Sequence, residues 1–372
     1  MLILLVILIL VAFALQRYSL HRAAEYRNIR YSCKPSVRAC EPGEAFLVYS
    51  TVSNHDLRPS PSIRIEERFP KDLNVLEAEQ FNVKTYSKDY RIYNSTVLIR
   101  GRQQVKRSLH ASIGRRGEYR FADADFHAGD FLGFREFDYR MENDSRIVIY
   151  PEKLDNADFL RTFTDAADEI ARKKRLLEDA ISVSGYRDYT GSEPMRQISW
   201  MQSAVRNSLI VKQFDPIWKE SVTIALDTQF HGGFDLHIAR QELCFSIART
   251  ICEQLERRSV GYRLVTNALI TGELSGFSSS GGMGGSYQKI LYALGAARNG
   301  CVCSVEELLY AVSSGANRSE MIVLISTRSD EQTERALNRA RENTHGRILT
   351  LFADQLIPDE TAETPQEGRA EA

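Results

Sequence analysis

Between Gly185 and Asp215 three arginines, two tyrosines and a tryptophan crowd around a turn, in the run GYRDYTGSEPMRQISWMQSAVRNSLIVKQFD. The residues there whose types suit recognition chemistry are Arg187, Tyr189, Glu193, Arg196, Trp200 and Arg206. A guanidinium can stack on an aromatic ring and still grip a carboxylate in bidentate fashion. Such a set fits either a buried structural network or a docking surface. Tyr189, Thr190 and Gly191 ahead of Pro194 read as a turn. Met195 to Val205 then predicts a short helix, with Ile198, Met201, Gln202 and Val205 on one side. Arg196 and Trp200 stand four apart and would face together on that helix. Two expectations follow: a clasp between domains with Trp200 as a core plug, or direct contact with a partner or ligand. A mixed outcome is expected, with Trp200 structural and at least one arginine reserved for the partner.

Other chemistry has thin support. No nucleophile elbow, zinc-protease helix or readable catalytic triad is present, and the seven histidines are scattered. Phe277 to Ser286, FSSSGGMGGS, is glycine-rich but lacks the lysine and the order of a phosphate-binding loop, so it reads as a flexible surface loop. Six cysteines do not make a disulfide framework in a chain of 372 residues. Cys33 and Cys40 could pair across a loop, Cys244 and Cys252 fall in a helical stretch, and Cys301-Val302-Cys303 lacks the spacing of redox or zinc motifs. Reduced thiols in a reducing compartment are expected. His127 and Asp130 flank a loop without further ligands, so no metal is expected there. No cofactor is implied, and the reading is of a protein that is not an enzyme. With 48 basic and 49 acidic residues the chain is nearly neutral, which argues against a general nucleic-acid binder.

The elements that must position these residues are legible as a series of composition changes. Residues 1–20 begin with MLILLVILILVAFAL, which carries no charge, and continue into a flank with Arg17, His21, Arg22, Arg27 and Arg30. That is the pattern of a membrane segment or a signal peptide: Ala12-Phe13-Ala14 imitates a cleavage site, but no positive region precedes the apolar core, so an uncleaved anchor is expected, with basic charge holding the following body on the cytoplasmic side. Residues 31–151 hold short strand-like runs broken by turns such as Glu41-Pro42-Gly43-Glu44, and predict an antiparallel β-sandwich. Among the runs are Ala45–Tyr49, Ser62–Ile65, Thr96–Ile99 and Arg146–Tyr150. Residues 152–184 turn helical and charged, a linker helix with a basic cluster at Arg172, Lys173, Lys174 and Arg175. Residues 185–218 carry the arginine and aromatic segment described above.

From 219 to 355 strands alternate with helices. Val222–Asp227 reads as a buried strand ending in an acid, and Leu236, Ala239, Leu243, Ile247, Ile251 and Leu255 mark one face of a long helix. Tyr262–Val265, Met321–Ser326 and Arg347–Phe352 read as further strands, with helices over Tyr287–Ala297 and Glu331–Asn343. This predicts a parallel, doubly wound sheet of Rossmann type. The tail over 356–372 is acidic and without aromatic residues, and is expected to be disordered. The chain as a whole is predicted to be a multidomain α+β protein.

The run Arg187-Asp188-Tyr189, Gly191, Glu193-Pro194, Arg196, Ile198, Trp200, Ser203-Ala204 and Arg206 resembles the core motif of the family called domain of unknown function 58. Arg116-Gly117-Glu118-Tyr119, Asp130-Phe131-Leu132-Gly133-Phe134 and the Tyr150-Pro151 strand end resemble what that family carries ahead of its core. The turn Gly191-Ser192-Glu193 and the Val205 before the last arginine depart from its pattern, as does the single hydrophobic segment where members begin with a pair. The resemblance implies cooperation with a MoxR-type AAA+ ATPase and a C-terminal half like a von Willebrand factor A domain. A metal-binding domain of that type carries Asp-x-Ser-x-Ser after its first strand, so that a carboxylate and two hydroxyls can ligate a hard cation. Here Asp227-Thr228-Gln229-Phe230-His231 puts Gln229 and His231 where the serines belong, and a degenerate site without metal is expected. Ser326 and Asp330 are the nearby oxygens from which a site could be rebuilt.

Overall fold

The structure is a computed structural model, and it describes residues 2–23, 28–57, 59, 62–76, 82–85, 89–129, 136–180, 183–191, 193–214, 222–229, 234–270, 278–281, 286–313, 321–344 and 347–357. The chain divides into two compact units, Met1–Glu152 with Leu294–Ala297, and Lys153–Ala293 with Arg298–Ala372. It is a mixed α and β protein in which antiparallel sheets make up the first unit.

Unit 1 opens with helix α1, Leu2–Ala23, whose side chains from Ile3 to Leu15 are exposed. Its uninterrupted apolar run ends at Leu15, before Gln16 and Arg17. Among the described residues no helix is long and apolar enough to cross a membrane. Twelve strands follow: β1 Ile29–Pro35, β2 Ala39–Cys40, β3 Phe46–Asn54, β4 Ile63–Pro70, β5 Asn74–Val75, β6 Asn82–Thr85, β7 Tyr90–Val97, β8 Gln104–Ser112, β9 Gly117–Phe121, β10 Ala124–Gly129, β11 Glu136–Met141 and β12 Ser145–Ile149. They form antiparallel sheets in the orders β1-β3-β8-β5 and β11-β10-β4-β7-β6, and a small sheet β2-β12-β9 in which β2 and β12 run parallel.

Strand β3 buries every second residue, Phe46, Val48, Ser50, Val52 and Asn54, and β4 does the same with Ile63, Ile65, Glu67 and Phe69. This period of two turns one face of each sheet inward. Phe46 and Val48 meet Phe69 in one core, and Val52 meets Ile63 and Ile65 in another, so the two larger sheets pack face to face. One inward position is a carboxylate: Glu67, 1% exposed, accepts from Tyr31 at 2.9 Å, from Ser50 and from Arg107. A buried charge is tolerated only when it is paired and its lone pairs are satisfied. Burial and the neighbouring Glu67 push the Tyr31 hydroxyl far above its ordinary range.

Several sequence expectations meet a different outcome here. Cys33 on β1 and Cys40 on β2 are separate buried thiols, in line with the expected reduced cysteines and not with the pairing across a loop that their spacing also allowed. His127 lies on β10 rather than in a loop, and its Nδ1 is 2.7 Å from Asp138 Oδ1. Asp130 and the Phe131–Phe134 motif lie outside the described residues. β7 ends at Val97, so Leu98 points to solvent while Ile99 beyond it is buried. Arg116 has a packing role: its Nη1 donates to the carbonyls of Leu294 at 3.0 Å and Ala297 at 2.6 Å, both in the same unit.

Unit 2 begins with α2, Ala157–Ala180, where Leu160, Phe163, Ala167, Ile170 and Ala171 recur at helical spacing and are buried. β13, Val183–Asp188, and β14, Ile210–Phe214, pair antiparallel around α3, Trp200–Arg206. The remaining elements are β15 Val222–Leu226, α4 Phe234–Arg257, β16 Tyr262–Thr266, β17 Ala268–Leu269, β18 Ser278–Gly281, α5 Ser286–Ala296, β19 Arg298–Cys301, α6 Val305–Ser313, β20 Met321–Ser326, α7 Glu331–Asn343 and β21 Arg347–Phe352. The main sheet has the order β18-β16-β15-β20-β21, parallel except for β18.

β15 and β20 are buried along their whole length. Strands read this way when both faces of a sheet are covered. Helices α6 and α7 pack on Ala225 and Leu324 through Val305, Leu308, Leu309, Ala336, Leu337 and Ala340, and α4 packs on the same two strands. Asp168 of α2 meets Arg258 after α4 at 2.6 Å, and Thr164 donates to Gln254 at 3.1 Å, so α2 is held against α4.

Three further readings are corrected. Part of the glycine-rich stretch is an edge strand, β18, rather than a loop, because Ser278–Gly281 pairs with Tyr262–Val265. Helix α6 was not expected, since it is only nine residues long. On α4 the buried face takes in Arg240, Gln241, Cys244 and Ala248 beside Ile247, Ile251 and Leu255, while Ala239 is exposed and Leu243 half-buried. Arg240 can be buried because its guanidinium donates twice to the Ile357 carbonyl, at 2.8 and 2.7 Å.

Candidate functional site

The arginine and aromatic segment folds as an antiparallel pair, β13 and β14, with 189–209 between them closed at the base. Tyr189 N donates to Leu209 O at 2.9 Å, Ser199 N donates to Ile210 O at 2.8 Å, and Ile198 bridges Val211. Ile198, Ile210 and Val211 are buried and form the root of the segment. Above that root the chain makes a short 3-10 helix, Met195–Gln197, then the separate helix α3. The single helix expected over Met195–Val205 is therefore broken at Ile198, whose extended backbone lets its side chain reach inward. Arg196 and Trp200 do not share a helix face, and the side chain of Arg196 lies outside the described residues.

Helix α3 is tied down by hydroxyls. Ser203 Oγ donates to Ser199 O at 2.8 Å and accepts from Ile210 N at 2.9 Å. Asn207, in the left-handed region at φ 53°, ends the helix. This anchoring is polar, and no residue of α3 is buried. Trp200 is 61% exposed, Met201 79% and Val205 77%. Trp200 is therefore not a core plug, and Met201 and Val205 do not face a core. Tyr186, Met195 and Leu209 are also exposed large apolar residues of this segment. Sequence reasoning put Met201 and Val205 on one helix face with Ile198 and Gln202, and gave no weight to Met195 or Leu209. The number of large apolar residues in a stretch this short was the available signal.

Around α3 the charges are arranged rather than scattered. Arg187 Nη2 meets Glu193 Oε1 at 2.7 Å. The Glu193 carboxylate also accepts from the Thr190 hydroxyl at 2.7 Å and the Thr190 backbone N at 3.1 Å. Chiefly through the Thr190 hydroxyl, with backbone donors and Arg187 adding to it, Glu193 is held down to about 2. Gly191, at φ 94°, supplies the left-handed step of this turn. Tyr189 is half-buried, and Arg206 is exposed at the end of α3. The structure thus brings Arg187, Thr190 and Glu193 together, and places Trp200 and Arg206 on one exposed helix.

At the second candidate, Asp227 is fully buried and its oxygens are taken by neutral donors. Oδ1 accepts from Asn267 Nδ2 at 2.6 Å and from Gln229 N at 3.0 Å, and Oδ2 accepts from Ser326 Oγ at 2.7 Å. The Gln229 side chain is turned elsewhere, accepting from Val305 N at 2.9 Å. Thr228 Oγ1 lies 3.2 Å from both Asn267 Oδ1 and Gly300 O. Asp330 caps α7 by accepting from Thr333 N at 2.7 Å. His231 lies outside the described residues. The residues present do not fit a hard cation, because the amide hydrogens of Asn267 are directed at the carboxylate. Among the described residues no cluster of three or more His, Cys, Asp or Glu side chains is placed to hold a metal ion.

No family model matches the chain, and no curated protein does. Solved structures similar to part of it include cohesins and a CARDB domain. One is a non-cellulosomal cohesin from the hyperthermophilic archaeon Archaeoglobus fulgidus, 12% identical, covering 33% of this chain and 91% of that one with a TM-score of 0.23. Another is the CARDB domain of a Pyrococcus furiosus protein, 12% identical over 32% of this chain and 94% of that one, TM-score 0.20. A cohesin from Clostridium acetobutylicum, CaCohA2, is 14% identical over 33% of this chain and 92% of that one, TM-score 0.22. Likeness at these TM-scores carries no argument about what this chain does.

Proposed function

We propose that this chain is a membrane-anchored, non-enzymatic interaction or assembly factor that presents α3 to a protein partner, an AAA+ ATPase of the MoxR type. The observation that carries this reading is a helix with no buried residue, held in place by Ser203 and showing Trp200, Met201 and Val205 to solvent. Large exposed apolar side chains gathered on one short helix fit a protein-interaction surface. Tryptophan and arginine are the residues that most often anchor such interfaces. The choice of ATPase class rests on the resemblance of the core motif, and the von Willebrand factor A-like reading of unit 2 rests on its strand and helix order together with that resemblance.

The anchor in this proposal is the apolar N-terminal segment over residues 1–20, although no described helix is on its own long and apolar enough to cross a membrane, and the basic residues after it keep the body on the cytoplasmic side. The alternative of a ligand-binding or hydrolytic site built from Arg187, Glu193, Arg196 and Arg206 has less support, because Arg187 and Glu193 are engaged with each other. Co-purification of the full chain from native membranes tests the proposal. An AAA+ ATPase recovered with wild type and lost when Trp200, Met201 and Val205 are all changed to serine is the expected result. Recovery unaffected by that triple change overturns it.

A further inference from the structure

Three parallel strands run in register up to the edge where Asp227 lies. Leu226 is in register with Thr266 of β16 and with Ile325 of β20, so the next residue of each strand stands side by side: Asn267, Asp227 and Ser326. The carboxyl end of a parallel sheet is where such folds place their ligands. All three residues are buried. A fully buried carboxylate demands a charge partner or a complete set of donors. Nothing cationic contacts Asp227 among the interactions described above; the donors are an amide, a hydroxyl and a backbone N–H.

Asn267 does more than donate to Asp227. Its Nδ2 also donates to Cys303 O at 3.0 Å, and its Oδ1 accepts from Thr228 N at 2.8 Å. Its backbone continues the same links: Asn267 N donates to Leu226 O at 3.3 Å, and Asn267 O accepts from Val302 N at 2.7 Å. One side chain therefore joins the loop after β15 to the segment after β19. A divalent cation on a carboxylate would join neighbouring loops in the same way through their oxygens.

We infer that the Asn267 amide stands in for a cation at this edge: it is a positioning residue that holds Asp227, Thr228 and the Cys301–Cys303 segment in one geometry with no metal. An aspartate at 267 would turn the donor facing Asp227 into a second carboxylate, and the buried pair would then require a cation. Exchanging the two residues would restore one amide against one carboxylate.

The test uses the full chain in detergent, followed by its thermal unfolding midpoint in EDTA and in millimolar MgCl2 or MnCl2. Wild type is expected to melt at the same temperature in all three. Asn267→Asp is expected to lower the midpoint in EDTA by about 5 °C or more, the loss of a hydrogen bond to a buried charged group. It is expected to recover part of that loss with the divalent ion, a gain that wild type lacks. The exchange Asp227→Asn with Asn267→Asp is expected to recover the midpoint without any ion. A wild-type midpoint raised by the divalent ion overturns the inference, as does Asn267→Asp melting like wild type in EDTA. Should Asn267→Asp not fold, the exchanged variant decides: folded protein supports the inference, and failure to fold overturns it.

Discussion

Trp200→Ala separates a docking surface from a clasp with one substitution. A buried tryptophan truncated to alanine costs about 3–5 kcal/mol. At 61% exposure on a helix with no buried residue, Trp200 should behave as a surface site, with a change within about 0.5 kcal/mol. The effect on partner binding is much larger. Full burial of an aromatic side chain removes roughly 150–250 Å² from water. The 61% still exposed leaves roughly 90–150 Å² for a partner to cover, worth about 2–4 kcal/mol at roughly 25 cal/mol per Å². That corresponds to roughly a 50- to 500-fold weaker Kd.

The assay is paired: the melting temperature of the full chain, and its affinity, by interferometry, for the ATPase that the proposed function expects to co-purify. Unchanged melting with a large loss of affinity is the expected outcome. A melting temperature lowered by 10 °C with aggregation, or unchanged affinity, would refute the reasoning.

Glu193 should titrate near 2 in the folded chain; because this lies below its ordinary 4.5, any stability it lends the turn is complete above about 4.5 and is lost as pH falls through 2. Carboxyl NMR should show that midpoint, with Thr190→Val moving it upward; a midpoint above 4 in the unaltered chain counts against the Thr190 assignment. Arg107→Ala should destabilise unit 1 by about 3 kcal/mol in denaturant unfolding, since it strands the Glu67 carboxylate in the sandwich. Adding Glu67→Gln should recover part of that loss, and a double variant no better than the single would show that the charge is not the cause. A reporter fused after Ala372 should be active only as a cytoplasmic-type reporter; a stronger signal from one that works across the membrane refutes the proposed orientation.

Where hydrophobic periodicity was strong, the chain alone determined the elements. β20, α7 and β21 fall where Met321–Ser326, Glu331–Asn343 and Arg347–Phe352 were read, because a buried strand or an amphipathic helix writes its period into successive residues. The same holds for the alternating strands of unit 1, where β3 buries one side chain in two. Local turn chemistry was legible too: Gly43 at φ 75° and Gly191 at φ 94° stand in the turns expected at Glu41–Glu44 and around Thr190.

What the chain could not state was which side of a short element faces protein. α3 has seven residues, about two turns, too few for a period to declare itself, and its anchoring is through Ser203 and Ile210 rather than an apolar stripe. Trp200 and Met201 therefore look like core in the sequence and are surface in the fold. The buried polar residues were illegible for a related reason: Glu67, Arg240 and Asn267 are charged or polar types that belong outside by composition. Only tertiary structure decided that Arg107 would meet Glu67, or that the Ile357 carbonyl would meet Arg240. At the sheet edge the sequence placed Gln229 and His231 where the resemblance puts two serine hydroxyls. That Asn267 faces Asp227 follows from the parallel register of β15 and β16, a pairing across forty positions that no local pattern contains.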